Sequence, residues 1–246
     1  KEVYGGAITS IYNKSAETMP GNGSYENEFL LGNAENAVVK ENGHLFNIDW
    51  ITGQKTGFFL DQRDNRQLLA HYAKGKKVLN TFCYSGGFSV YGLAADADLV
   101  HSVDSSKKAI DLTDANVKYT GKSNIHQSFA IDTFGFFKDT KEKYDLIILD
   151  PPAFAKHLKA LSNATQGYQR LNRTAFEQIA PGGILFTFSC SQVVDKSLFR
   201  KVVFAAAAQA GRSVRILHQL TQPADHPINI YHPEGEYFKG LVLYVE

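Results

Sequence analysis

Five polar side chains stand where five predicted strands end in this sequence: Asn80, Asp104, Asp132, Asp150 and Cys190. The carboxyl ends of parallel strands lie along one edge of a sheet, and ligands bind in the crevice outside that edge. Carboxylates and amides can hold the hydroxyl and amino groups of a nucleotide, and a thiol can act as a nucleophile. The coincidence of five such residues therefore predicts one crevice that binds a ligand and performs chemistry on it.

The stretch 78–90 carries the strongest local signal for such a ligand. An apolar run ends in small residues and the pair Gly86-Gly87, and residues 88–95 then have the pattern of a helix. A strand that turns tightly into a helix leaves free N–H groups at the helix start. Asp104 ends the next strand, where it can accept hydrogen bonds from a ribose. An ordinary βαβ unit with a tight turn explains these two features equally well.

Strands and helices alternate along most of the chain, which predicts an α/β fold with a doubly wound, mainly parallel sheet. The apolar run 144–150 is continuous, as is typical of a parallel strand buried on both faces. Asp61 is the predicted N-cap of the first helix, and Gly75 is its predicted stop. The predicted helices are 61–73, 88–95, 105–120 and 197–210, and the predicted strands after the first are 99–104, 124–132, 144–150, 181–191, 214–217 and 237–245.

Residues 1–53 differ from the rest of the chain, because they are rich in turn residues and show little helical periodicity. Within them, Asn42-Gly43 separates two apolar runs and predicts a tight β-hairpin. We therefore expect a small β-rich appendage over 1–53 and the main domain over 54–246.

Composition limits the classes of function. Of 246 residues, 26 are Lys or Arg and 25 are Asp or Glu, so the overall charge does not indicate a polyanion partner. Acidic residues are absent from 151–176 and from 196–224, which fits either a phosphate-facing surface or solvated helix faces. Two cysteines are too few for a disulfide framework and favour a reducing cytoplasm. No signal peptide is visible, and no apolar stretch is long enough to span a bilayer.

Six segments taken together resemble the class I S-adenosylmethionine-dependent methyltransferases, and more closely the bacterial family that methylates cytosine C5 in large-subunit ribosomal RNA. The segments are 55–63, 80–88, 102–106, 149–154, 187–191 and 224–227. The resemblance implies a seven-stranded Rossmann-like sheet and covers the chain from about residue 54 to its end. The RNA-binding PUA domain that usually precedes this fold in the family has no counterpart in these residues, and 1–53 would be part of the middle domain.

The resemblance implies S-adenosyl-L-methionine as cofactor and S-adenosyl-L-homocysteine as product. Asp104 would accept hydrogen bonds from the ribose hydroxyls, Asp132 from the adenine amino group, and Arg63 would bind the methionine carboxylate. A helix-start surface pair is the other interpretation of Gln62 and Arg63. The implied cofactor-binding residues are Phe59, Gln62, Arg63, Asn80, Phe82, Tyr84, Ser85, Gly86, Gly87, Asp104, Ser105, Asp132, Asp150 and Pro151.

Cys190 and Asp150 are the implied catalytic residues. A thiolate that adds to C6 of cytosine makes C5 nucleophilic, and Asp150 would hold N3 and the exocyclic amine. Lys156 or His157 could help the thiol to ionise, or the proton could pass to the base ring itself. A small buried hydrophobe is the other interpretation of Cys190, and packing is the expected role of Cys83.

Substrate RNA would contact residues that follow the Asp-Pro-Pro turn or lie near the C terminus. The predicted set is Pro152, Phe154, Lys156, Tyr168 and His226. Phe154 and Tyr168 would stack on an unstacked nucleotide, and core packing is their alternative role. His226 could remove the C5 proton, or it could have a structural role in its Pro-rich turn.

Two other functions stay open on the sequence. The same pocket would serve a methyltransferase that acts on an adenine or guanine nitrogen, without need of Cys190. A non-catalytic RNA- or nucleotide-binding scaffold could also keep this fold. A nicotinamide dehydrogenase is disfavoured because the turn lacks Gly-x-Gly-x-x-Gly. Ribosomal RNA is the expected partner, no metal or membrane is expected, and the choice between monomer and homodimer stays open.

Overall fold

The N-terminal part of the chain forms two small antiparallel sheets in a computed structural model that describes residues 3–16, 19, 25–33, 37–155 and 157–246. Strand β1 (Ile11–Asn13) pairs with β2 (Glu28–Leu31), and β3 (Ala37–Glu41) pairs with β4 (His44–Ile48). The turn between β3 and β4 is Asn42-Gly43, and both residues have positive φ angles of 48° and 91°. The predicted hairpin is confirmed, while the division of the chain at residue 53 stays a prediction.

In the described part of the chain, the centre of the molecule is a seven-stranded sheet covered by six α-helices. Its strands are β5 (Lys77–Thr81), β6 (Leu99–Asp104), β7 (His126–Ala130), β8 (Tyr144–Leu149), β9 (Ile179–Ser189), β10 (Val214–Leu220) and β11 (Lys239–Val245). The helices are α1 (Arg63–Ala73), α2 (Gly87–Ala94), α3 (Lys107–Val117), α4 (Thr133–Asp139), α5 (Leu161–Gln178) and α6 (Lys196–Gln209). Short 3-10 turns occupy Gly5–Ala7, Leu60–Gln62, Lys118–Thr120, Ser123–Ile125, Leu158–Ala160 and Pro233–Gly235.

The strand order is β10-β11-β9-β8-β5-β6-β7, and β11 is antiparallel to both of its neighbours. The other neighbouring pairs are parallel. The predicted fold class is therefore confirmed. In β8, every residue except Asp145 is buried, because apolar helices cover both faces of the sheet.

Two apolar clusters form the core, one on each face of the sheet. The first contains Phe136 of α4, Phe176 of α5 and Phe199 of α6, and the second contains Leu69 of α1 and Phe88 of α2. These layers hold the strands in place, so the carboxyl ends of β5, β6, β8 and β9 form one rim of the sheet.

Several predicted boundaries are wrong by a few residues. The first helix begins at Arg63 rather than Asp61, because a 3-10 turn over Leu60–Gln62 precedes it. Asp61 is not the N-cap, and its Oδ2 instead accepts a hydrogen bond from the Tyr237 hydroxyl at 2.7 Å. The third strand ends at Ala130, so Asp132 lies outside it and caps α4.

The hairpin β3–β4 packs directly on the central domain. Phe46 of β4 is fully buried between Phe58 and Tyr91. Glu41 forms a buried, bidentate ion pair with Arg66 of α1, with N–O distances of 2.9 and 2.7 Å. The hairpin is thereby fixed to α1 and α2. No helix in the described part of the chain combines the length and apolarity needed to cross a membrane.

Candidate active site

The turn between β5 and α2 forms an open backbone cradle. Phe82, Tyr84 and Gly86 all have positive φ angles, and the Gly86 N–H donates to the Cys83 carbonyl at 2.8 Å. No side chain caps the start of α2, so its first N–H groups are free to meet a ligand. A Cβ on Gly87 would lie 2.9 Å from Cδ of Arg66, which explains the glycine there. These features fit the polar part of S-adenosylmethionine.

Two predicted cofactor-binding carboxylates lie at or just after the ends of neighbouring strands, and one of them, Asp104, hydrogen-bonds to the cradle directly. Asp104 ends β6, just before the turn into α3, and its Oδ2 accepts from the Tyr84 N–H at 3.0 Å while its Oδ1 accepts from the Ser106 N–H at 2.9 Å. Ser105 next to it is exposed. Asp132 is exposed and uses only Oδ2 to cap α4 among the recorded hydrogen bonds, at 3.0 and 3.1 Å. Both carboxylates are therefore at the rim, where the predicted ribose and adenine contacts would form.

Asn80 is buried beneath the turn, and its role as a cofactor-binding residue stays a prediction. Strand β5 continues to Thr81, and Asn80 is only 1% exposed. Its Nδ2 donates to Ser89 Oγ of α2 at 2.9 Å. The side chain thus ties the strand to the helix under the cradle. Ser85 is buried as well, and its carbonyl accepts from Asn116.

The segment before α1 closes one side of the cradle. The Phe59 ring lies edge-on to Tyr84, with 5.3 Å between ring centroids. The Tyr84 hydroxyl accepts from the Gln54 N–H at 3.1 Å, which fixes the segment to the turn. Arg63 donates to Asp225 at 2.5 Å and to Asp64 at 3.2 Å. Those ion pairs hold the guanidinium that was predicted to bind the methionine carboxylate.

Gln62 has a role that the sequence did not reveal. The side chain is 3% exposed, and its Nε2 donates to Asp150 Oδ2 at 2.9 Å. Its Oε1 in turn accepts from Asn65 at 2.8 Å, which fixes the orientation of the amide. Gln62 therefore orients the carboxylate of Asp150. No sequence signal could have found this pair, because 88 positions separate the two residues.

Asp150 and Cys190 follow the neighbouring parallel strands β8 and β9. Both residues are half-buried, and the thiol of Cys190 is free. The loops that carry them are joined, because Ser191 Oγ donates to the carbonyl of Ala155. The structure thus brings the predicted thiol and carboxylate to one place. Pro151 beside Asp150 is buried, and Pro152 is exposed.

Burial and neighbouring charges shift the ionisation of both groups. Burial, with the nearby Asp61 carboxylate, raises the pKa of Asp150 to about 7, and the hydrogen bond from Gln62 opposes this. Burial also raises the pKa of the Cys190 thiol to about 11, and the Asp150 charge adds to that effect. Asp150 can therefore hold or release a proton near neutral pH, while Cys190 needs a nearby positive charge to ionise.

Lys239 supplies such a charge and was also missed in the sequence. It opens β11, is 5% exposed, and its Nζ donates to the Ser191 carbonyl at 2.6 Å. Two other basic residues, His157 and Lys156, were predicted for this role. His157 is exposed, and Lys156 lies outside the described residues.

Three of the predicted RNA contacts, Phe154, Tyr168 and His226, differ in how far they are exposed. Phe154 is half-buried and packs on Tyr168 at 4.5 Å between ring centroids. Tyr168 is fully buried between Phe154 and Phe199, which corrects the expectation that it stacks on a nucleotide. His226 is partly exposed and bonds Asp225 at 3.0 Å. The Asp225–Arg63 ion pair brings this turn close to the start of α1.

Cys83 has the packing role that was expected of it. It is 6% exposed, its Sγ lies 3.5 Å from Thr113 Oγ1, and burial raises the pKa of its thiol to about 12. Within the described ranges, no group of three His, Cys, Asp or Glu side chains is arranged to hold a metal ion.

Comparison with known proteins points to one family. Residues 24–234 match the sequence model of the S-adenosylmethionine-dependent methyltransferases. The chain is 46% identical over 214 residues to "Ribosomal RNA large subunit methyltransferase I" of Aeromonas hydrophila. The aligned region covers 85% of this chain and 54% of that protein. The protein of the same name from Photobacterium profundum is 42% identical over 213 residues, with 85% and 54% coverage. The chain thus spans about half the length of the curated relatives it matches.

Solved structures agree with this. A putative methyltransferase complexed with SAH has a TM-score of 0.80 and 29% identity, over 89% of this chain and 58% of that one. A tRNA m1G37 methyltransferase from M. jannaschii has a TM-score of 0.67 at 17% identity, over 100% of this chain and 66% of that one. The second likeness shows the fold alone.

Proposed function

Since this chain belongs to the family of S-adenosylmethionine-dependent methyltransferases, we propose that it methylates C5 of a cytosine in large-subunit ribosomal RNA. The observation that carries the proposal is the meeting of a half-buried thiol and a carboxylate at the ends of β8 and β9. A methyltransferase acting on a ring nitrogen has no need of the thiol. The names of the relatives support ribosomal RNA as the substrate class.

The cofactor cradle contributes by orienting the donor. S-adenosylmethionine supplies an electrophilic methyl group when it is bound. The free N–H groups at the start of α2 would hold its carboxylate end, Asp104 its ribose, and Asp132 its adenine amino group. Phe59 and Tyr84 would close the cradle from the side.

Cys190 acts as the nucleophile at the cytosine ring, and Asp150 acts as the proton donor and acceptor. The Cys190 thiolate forms a bond to C6, and the displaced electron pair moves through the ring to N3. Asp150 in its protonated form donates a proton to N3, which leaves C5 electron-rich. After methyl transfer, a base removes the C5 proton, the C6–S bond breaks, and Asp150 takes back the N3 proton. The sulfur leaves as a thiolate, so both residues return to their starting states.

Asp150 suits this role because its pKa of about 7 allows both directions of proton transfer. Gln62 keeps the carboxylate in a fixed orientation. For the C5 proton, His226 is our candidate, because Asp225 holds its Nδ1 and the Arg63 ion pair holds the turn near α1. Phe154 and Pro152 are the candidates for contact with the extruded nucleotide.

The test is radiolabelled methyl transfer to ribosomal RNA, followed by nucleoside analysis. We expect label at cytosine C5 with the parent protein and none with Cys190→Ala. Calorimetric titration with S-adenosylmethionine is the control, because Cys190→Ala should bind it as the parent does.

Three outcomes would contradict the proposal in different ways. Label on a purine nitrogen would move the protein to the alternative class of methyltransferase. Full activity of Cys190→Ala would exclude the covalent route. Absence of cofactor binding by the parent would favour a non-catalytic scaffold.

A further inference from the structure

Lys239 is a buried cation at the turn that carries Cys190. It is the one lysine that is buried among the residues the structure describes. Its main chain pairs with Ser189 across the β9–β11 ladder, and its Nζ donates to the carbonyl of Ser191 at 2.6 Å. The residues on both sides of Cys190 are thus held by one lysine.

Burying an ammonium group costs free energy unless neighbouring groups compensate. Two carbonyls provide part of the compensation, since Nζ also donates to Tyr237 at 2.9 Å. Burial lowers the pKa of Lys239 to about 8, and the thiolate form of Cys190 is the first of the charges that raise it. The interaction works in both directions, because Lys239 lowers the pKa of Cys190 against burial and Asp150.

Other titratable groups also lie near Lys239 and Cys190. Asp150 and Asp61 raise the pKa of Cys190, and the hydroxyls of Tyr168 and Tyr237 lie within its electrostatic reach. Asp195 and Glu236 raise the pKa of Lys239, and Lys196 lowers it. Among the charges that act on Cys190, Lys239 is the cation, and the acidic groups work against ionisation of the thiol.

We propose that Lys239 is a positioning residue whose ammonium, held between the carbonyls of Ser191 and Tyr237, stabilises Cys190 as a thiolate. This inference rests on the proposed function, in which Cys190 is the nucleophile. When the S–H bond breaks, sulfur keeps the electron pair, the proton passes to water, and Lys239 keeps its three protons. The same ammonium receives the thiolate when the C6–S bond breaks at the end of the reaction.

The experiment measures how the rate of Cys190 alkylation by iodoacetamide depends on pH. The whole chain is used without RNA or cofactor, and peptide mapping by mass spectrometry separates Cys190 from Cys83. In Lys239→Met, we expect the rate of Cys190 alkylation at pH 7.5 to fall about tenfold, because Lys239 of the parent still carries its charge at this pH. Lys239→Arg keeps the charge and should stay close to the parent.

Two further variants separate charge from folding. Lys107→Met removes an exposed lysine that pairs with Asp111 on α3, and its profile should overlay the parent profile. If Lys239→Met does not fold, Lys239→Gln gives the same comparison, because its amide can still donate to a carbonyl. A folded Lys239→Gln with the parent rate of Cys190 alkylation at pH 7.5 would overturn the inference.

The inference and the proposed function can fail separately. If the Lys239 variants are alkylated at the parent rate, Lys239 has only a structural role between the strands, and the proposed methylation of cytosine C5 is unaffected. A shifted profile together with label on another base atom would instead overturn the proposed function alone.

Discussion

Replacement of Gly86 by Ala tests whether the cofactor cradle has the shape that the structure gives it. Gly86 has a φ of +73°, and a Cβ there would lie 2.7 Å from Cγ2 of Thr113. Thr113 cannot easily move, because its Oγ1 donates to the Tyr84 carbonyl at 2.9 Å. The left-handed conformation costs about 1–2 kcal/mol for a residue with a Cβ. Overpacking adds roughly 1–3 kcal/mol. The free energy of unfolding should therefore fall by about 2–5 kcal/mol.

Gly121 is the matched control for this change. Its φ of +69° is nearly the same, but no heavy atom lies within 4 Å of the position of a Cβ. Gly121→Ala should therefore lose only the conformational part, about 1–2 kcal/mol. Urea unfolding at equilibrium measures both variants, and calorimetry then measures their affinity for S-adenosylmethionine.

Affinity gives the second readout of the same experiment. Gly86→Ala should bind S-adenosylmethionine at least about tenfold more weakly, since relief of the contact with Thr113 moves the N–H groups of the cradle. Gly121→Ala should bind it as the parent does. Equal losses of stability in the two variants, or parent-like affinity in Gly86→Ala, would refute this description of the cradle.

Three further predictions concern buried charges. Glu41→Gln breaks the buried pair with Arg66 and should lower the free energy of unfolding by about 3 kcal/mol. Glu177→Gln removes the acid of an exposed ion pair on α5 and should lower the free energy of unfolding by about 0.5 kcal/mol or less. Urea unfolding measures both variants, and equal losses of stability in Glu41→Gln and Glu177→Gln would contradict this prediction. The pKa of Asp150 is raised by folding, so its contribution to stability is lost as pH rises from about 4 to about 7. Asp150→Asn should accordingly gain stability over the parent at pH 8 but not at pH 4, as measured by urea unfolding. Asp61→Asn removes a charge that raises the pKa of Asp150, so the alkaline limb of cytosine methylation should move to lower pH, and an unmoved limb would count against a protonated Asp150.

Local patterns were sufficient to predict the architecture. The continuous apolar run of β8, the Gly86-Gly87 turn and the Asn42-Gly43 hairpin each depend on residues close in sequence, and the structure confirms all three. The fold class follows from such signals, because periodicity and glycine positions depend on backbone sterics. The methyltransferase family was instead indicated by the resemblance of six segments to known members. Element ends were less accurate, as the 3-10 turn that displaces the start of α1 shows.

Only the tertiary structure decided which groups act on one another in the site. Gln62 meets Asp150 across 88 positions, and Lys239 meets Ser191 across 48, so no local pattern links the members of either pair. Burial was equally hidden, since Asn80 and Tyr168 turn out to pack inside. Residue types and strand ends follow from the sequence, whereas ionisation and orientation depend on neighbours that only the folded sheet brings together.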